Sequence, residues 1–212
     1  MANAKKPPIK KILSAADLYA ENLLNRNVLL LGSHDNMIET FELRFLAENF
    51  KHLTGVRTVS RDVSPKQFWR MCRGHNLSER DLAPDYEGWA GLKLKVAPYV
   101  FDSGLSAREF GRANGARLRV DADVYSGDHR VSLGFSLDEG GYCYPKSLLM
   151  SSVRSEVKRD DLFRVIGVFS KPMKSRWYDL AVRVDSEADW DYVCQLLPPR
   201  LQHVTTIKPQ CS

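Results

Sequence analysis

Familiar catalytic signatures are what this 212-residue sequence lacks. No GxxxxGKS/T loop is present to cradle nucleotide phosphates, and no GxGxxG follows a strand-like run. Its histidines, at 34, 52, 75, 129 and 203, never fall at the i, i+4 spacing of a zinc helix. No GxSxG elbow offers a serine nucleophile. Cysteine is sparse, and Cys72, Cys143, Cys194 and Cys211 form no CxxC pair, which argues against a zinc site or a disulfide framework. No apolar run nears the roughly 20 residues that span a bilayer. After "MANAKKPPIKK" the apolar residues are interrupted at Asp17 and Glu21, unlike a secretory signal. These absences argue against nucleotide-dependent enzymes, zinc hydrolases and α/β-hydrolases. They set the expectation of a soluble, cytoplasmic protein with no membrane partner and no cofactor.

Charge is unexceptional too. Lysine and arginine number 31 against 26 acids, a net +5, which permits an anionic partner without requiring one. Hydrophobic residues make up 43%, enough for a real core. The first eleven residues, with four lysines and two prolines, read as a mobile basic lead-in. "KILSAADLYAENLLN" has a helical apolar stripe, "RNVLLLG" is a short apolar strand, and "IETFELRFL" alternates Thr40, Glu42 and Arg44 against Phe41, Leu43 and Phe45 as a half-buried hairpin strand does. Ser64-Pro65 starts a helix that Gly74 stops. "GWAGLKLKVAPYVF" fits a strand and a helix equally. The later part is strand-rich: "ARLRVDADVYSG", "RVSLGFSL", "YCYPKSLLM", a central "LFRVIGVFSK" and a more peripheral "WYDLAVRVD". A last helix stops at Pro198-Pro199. Helices followed by antiparallel strands predict an α+β fold, with a domain over 12–185 and a C-terminal helical extension over 186–212.

Two kinds of phosphodiester chemistry fit these residues. A metal nuclease needs clustered carboxylates, and Asp121 with Asp123, or Glu156 beside Lys158, are the candidates; a solvated face explains them as well. Metal-independent RNA cleavage needs only an acid, a base and cations around the phosphate, because the RNA's own 2′-OH attacks. His52, Thr54, Lys93, Lys95, Tyr144, Ser147 and Lys171, at strand ends and turns, supply those groups. Each also has an ordinary structural reading, as a turn, a structured loop or a solvated face.

The segments "LYAENLLNRNVLLLG", "NFKHLTGV", "SPKQFWRMC", "LKLKVAP", "GYCYPKSLLM" and "RVIGVFSKP", in that order, resemble the phage-associated nuclease domains of the barnase–EndoU–colicin–RelE superfamily. The resemblance runs from about Ser14 to Tyr178. It implies N-terminal helices packed on a curved antiparallel sheet, and a metal-independent endoribonuclease of toxin or effector type. Its partners would be RNA and an immunity or antitoxin protein. His52 and Thr54 match the family's histidine segment, Lys93 and Lys95 its lysine segment, and Tyr144, Ser147 and Lys171 its late polar positions. The expected roles are His52 as general acid or base and Lys95 and Lys171 on the phosphorane. Thr54, Tyr144 or Ser147 would orient phosphate oxygens, with Lys93 on the substrate. An inert RNA- or protein-binding module on the same scaffold is the alternative.

Overall fold

Val28, Leu29, Leu30 and Leu31 form a run that a strand can bury only if both of its faces are covered. All four are buried in the computed structural model, which describes residues 5–102, 104–113 and 121–207. The chain runs α1 (Ile9–Asn22), β1 (Arg26–His34), β2 (Met37–Arg44), α2 (Asn49–Thr54), α3 (Pro65–Arg73), α4 (Trp89–Val100) and β3 (Glu109–Ala113). Then follow β4 (Val124–Gly127), β5 (Ser132–Leu137), β6 (Tyr142–Leu149), α5 (Val153–Glu156), β7 (Val157–Pro172), β8 (Leu180–Val184) and α6 (Trp190–Leu196).

The sheet is a closed barrel rather than an open curved sheet. Seven strands follow the order β1-β2-β6-β5-β4-β3-β7, β7 returns to β1, and β8 flanks β7. The 16-residue β7 makes this closure. Its first part pairs with β3, from Ala113↔Val157 to Glu109↔Arg164, and its second part with β1, from Ser33↔Arg164 to Arg26↔Pro172. Every neighbour pair is antiparallel except the short β2–β6 contact. Closure demands close approach at Gly32, where a Cβ would lie 2.6 Å from the Phe110 ring. The strand expected at Leu118 and Val120 lies outside the described residues.

Helices α1 to α4 share one core with the inner barrel face. Tyr19 is its hub, touching the rings of Phe45, Phe50, Trp69 and Phe101 while its hydroxyl donates to the Leu46 carbonyl at 2.8 Å. Helix α3 starts as its sequence predicts, with the Ser64 side chain accepting from the Gln67 amide at 3.1 Å and proline at N1. The ambiguous "GWAGLKLKVAPYVF" is helix α4, whose buried face is Ala90, Leu94, Ala97 and Val100. Residues 5–11, expected as a mobile lead-in, are held in place: Pro7 is buried, Lys6 Nζ donates to the Glu79 carbonyl at 2.8 Å, and α1 already begins at Ile9. A second core covers the outer face of β1 and β7. Leu29, Leu31, Ile166 and Phe169 lie there under Tyr178, Val193, Leu197, Leu201 and Val204. The C-terminal segment therefore packs on the barrel. Among the described residues no helix is long and apolar enough to cross a membrane.

Candidate functional site

Strand alternation sends Phe41 and Leu43 of β2 into the core and leaves Glu42 and Arg44 on the outer face. The β2–β6 contact sets Tyr142 beside Glu42. At the far end of β7, Lys171 occupies the same outer face. The 173–178 loop and the Pro199–Leu201 segment wall off this patch into a cleft of about 650 Å³.

Glu42 is its floor and is only 6% exposed. The Tyr178 hydroxyl donates to Glu42 Oε2 at 2.8 Å, and the Arg200 guanidinium donates to Oε1. Lys171 Nζ donates to the Arg176 carbonyl at 3.2 Å and sits 4.5 Å from the Tyr178 ring centroid. Burial pulls the Lys171 pKa down; Glu42 opposes this, while Arg200 and Arg44 reinforce it. Arg44 lies over the Tyr142 ring and donates to the Tyr144 hydroxyl at 3.3 Å. His203 Nε2 accepts from the Tyr178 amide at 3.1 Å, and burial lowers its pKa. Trp177 is exposed at the rim, with the Arg176 guanidinium 4.7 Å from its ring centroid.

Two properties of this cleft suit a polar, anionic ligand. Arg44, Lys171, Arg176 and Arg200 face a single carboxylate among its lining residues, so its field favours an anion. Of the five buried side-chain polar atoms that lack a partner among the described residues, two, Asn27 Oδ1 and Arg44 Nε, belong to lining residues. Unpaired buried groups each cost about 1–3 kcal/mol, and a bound polar ligand recovers that cost.

The seven residues expected from sequence divide. Lys171 lines the cleft, and Tyr144 joins its edge through Arg44. The other five do not line it. His52 is exposed on α2, with no hydrogen-bond partner for its ring among the described residues. Thr54 is buried, and its hydroxyl bonds the Phe50 and Lys51 carbonyls of its own helix, each at 3.1 Å. Lys93 is half-buried against Gly55, and burial lowers its pKa. Lys95 is exposed on α4, and Ser147 pairs with Gly134 across β5 and β6.

The carboxylates weighed for a metal site do not converge. Asp121 pairs with Lys146 at 3.3 Å, Asp123 Oδ2 accepts from the Leu137 amide at 2.8 Å, and Glu156 accepts from the Ser151 hydroxyl at 2.9 Å. Among the described residues no group of three or more histidine, cysteine or carboxylate side chains is placed to hold a metal ion. Sequence reasoning missed Glu42, Arg44, Tyr178, Arg200 and His203. The alternation of β2 placed Glu42 and Arg44 on one face, but nothing local marks that face as covered.

Comparison with known proteins adds one match. The family model described as phage-Barnase-EndoU-ColicinE5/D-RelE like nuclease4 matches residues 11–183. No curated protein and no solved structure matches the chain. The matched span holds Glu42, Arg44, Tyr142, Lys171 and Tyr178, whereas Arg200 and His203 follow it.

Proposed function

The chain belongs to the phage-Barnase-EndoU-ColicinE5/D-RelE like nuclease family, and from that premise we propose that it is a metal-independent endoribonuclease of toxin or effector type, acting in the Glu42–Lys171 cleft. The observation that carries this reading is one buried carboxylate set among four cations. Glu42 accepts the proton of the RNA 2′-OH, which then attacks the adjacent phosphorus. Arg44 and Arg200 carry the charge that builds on the phosphorane. Lys171, made more acidic by burial, protonates the departing 5′ oxygen. The donor set supports metal independence, since one carboxylate already engaged by Tyr178 and Arg200 is a poor seat for a divalent cation. An acidic antitoxin surface would be drawn to the same field.

The test is incubation of the protein with total RNA and with DNA, both in EDTA. Cleavage of RNA alone, leaving 2′,3′-cyclic phosphate ends, is expected. A second reading, an RNA-binding module without turnover, draws on the same carboxylate: both Glu42 oxygens are held internally, as in a structural ion pair. Salt-dependent RNA binding with no cleavage favours that reading over ours.

A further inference from the structure

A second basic groove, of about 590 Å³, lies beside the middle of β7, where Arg108, Arg154, Arg164 and Arg183 converge. Arg164 and Ile166 share the outer face of β7, and the extra residue at Ile166, where β7 bulges opposite Leu31 and Gly32, keeps Phe169 and Lys171 on that face. At a rise of about 3.3 Å per residue, Arg164 and Lys171 are separated by roughly 23 Å. Helix α6 packs over Ile166 and Phe169 between them, so this groove is separate from the Glu42 cleft.

Its carboxylates are already spent. Arg154 forks onto Glu109, with Nε to Oε2 at 2.8 Å and Nη2 to Oε1 at 2.5 Å. Arg164 pairs with Asp185 at 2.7 Å. Asp128 accepts the Arg130 and Val131 amides at 2.7 and 3.0 Å and the Tyr99 hydroxyl at 2.7 Å. Two guanidiniums remain. Arg183 is half-buried and donates to the Ala107 carbonyl. Arg108 is exposed, and its side chain has no hydrogen-bond or ion-pair partner among the described residues. Both line this groove and also the adjoining one beside Tyr99 and Asp102. They are close enough for Arg108 to lower the Arg183 pKa, after burial, which is the larger cause. Asp102 and Asp185 oppose that effect by smaller amounts, but neither forms an ion pair with Arg108 or Arg183 among the described residues, and an anion between the two guanidiniums relieves their repulsion. Guanidinium forks match phosphate oxygens in geometry as well as in charge.

We propose that this groove is a phosphate-binding exosite, in which Arg108 and Arg183 clamp a backbone phosphate of the strand whose scissile phosphate lies in the Glu42 cleft. The phosphate chemistry stands on the arginines alone; its source, a nucleic-acid strand, rests on the nuclease reading above. The probe for the groove itself is inorganic pyrophosphate, titrated into the full chain by calorimetry and NMR. Arg108→Gln should weaken its binding about tenfold or more, the loss of a charge-assisted contact, while Lys66→Gln, an exposed control on α3, leaves it unchanged. Equal binding by wild type and Arg108→Gln overturns the groove.

Non-cleavable 2′-O-methyl oligonucleotides of about 3 and about 16 nucleotides test the source. Arg108→Gln should weaken the long strand about tenfold and reduce its salt slope by about 1, and leave the short one unaffected. Loss of pyrophosphate binding with unchanged long-strand binding overturns the strand assignment and leaves a free phosphate as ligand. If neither length binds wild type, the nuclease reading fails, and the pyrophosphate titration still decides the groove.

Discussion

Removing one hydroxyl, by Tyr178→Phe, probes the floor of the Glu42 cleft with little change of shape. Tyr178 is 3% exposed, and its hydroxyl donates to Glu42 Oε2 at 2.8 Å. Phenylalanine fills the same space, so no cavity term enters. The loss is one hydrogen bond to a buried charge, about 2 kcal/mol. For a chain of this size that lowers Tm by roughly 4–8 °C. In a Glu42→Gln background the same change removes only a neutral hydrogen bond, about 1 kcal/mol, so a double-mutant cycle by urea denaturation at pH 7 should show about 1 kcal/mol of coupling.

Linkage provides a second readout of the same contact. Burial, then the charge of Glu42, raises the Tyr178 pKa. A phenol raised above its unfolded value of about 10 contributes stability that is complete below that pH and lost as pH rises toward the folded value. The gap between wild type and Tyr178→Phe should therefore close above about pH 10, by up to about 1.4 kcal/mol per pH unit. A cost under about 0.5 kcal/mol, the same cost in both backgrounds, or a gap unchanged up to pH 11 would refute the buried contact.

Three other outcomes follow from the geometry. Lys171→Met should slow RNA cleavage by about 10²–10⁴-fold yet leave the protein no less stable at pH 7. The lowered Lys171 pKa means its charged form costs stability, and that cost disappears as pH rises from the folded pKa to about 10.5, so thermal melts of the two proteins should differ most at neutral pH. Gly127→Ala places a Cβ 2.2 Å from the Val131 carbonyl oxygen and 2.7 Å from Ser132 Cα, both backbone atoms that cannot swing aside; it should cost about 3 kcal/mol or more in urea melts. Burial pushes the Cys72 and Cys143 thiols up to about 12, so both should resist Ellman's reagent at pH 8 in the folded protein while the half-buried Cys194 reacts.

Local chemistry in the sequence specified local structure well. Ser64, Pro65 and Gly74 delimit α3; Asp35, with its φ of 51°, turns the β1–β2 hairpin; and Gly55, at φ 66°, ends α2 while Phe50, Leu53 and Val56 are buried. What spacing alone did not carry was long-range closure. Glu42 read as the solvent side of a hairpin because its coverage comes from Tyr178, 136 positions away, and Arg200, 158 positions away. The barrel was hidden for the same reason, since alternation gives a strand's faces but not which strands meet at its edges. In α4, Trp89, Leu92, Val96 and Tyr99 have helical spacing, yet Trp89, Leu92 and Tyr99 are exposed and Val96 is only partly buried, and Ala90 and Ala97 face the core with Leu94 and Val100. His52 and Thr54 are two apart in sequence, but one is exposed and the other is buried and bonded within its own helix.

The proposed placement of the active site in the Glu42–Lys171 cleft, as against the His52 segment, is tested most directly by single-turnover RNA cleavage in EDTA. Wild type, Glu42→Gln, Lys171→Met and His52→Ala would be compared at saturating protein. The cleft predicts losses of about 10²–10⁴-fold for Glu42→Gln and Lys171→Met, as for removal of a general base or acid, and a rate near wild type for His52→Ala. Loss of cleavage in His52→Ala with Glu42→Gln still active would contradict it.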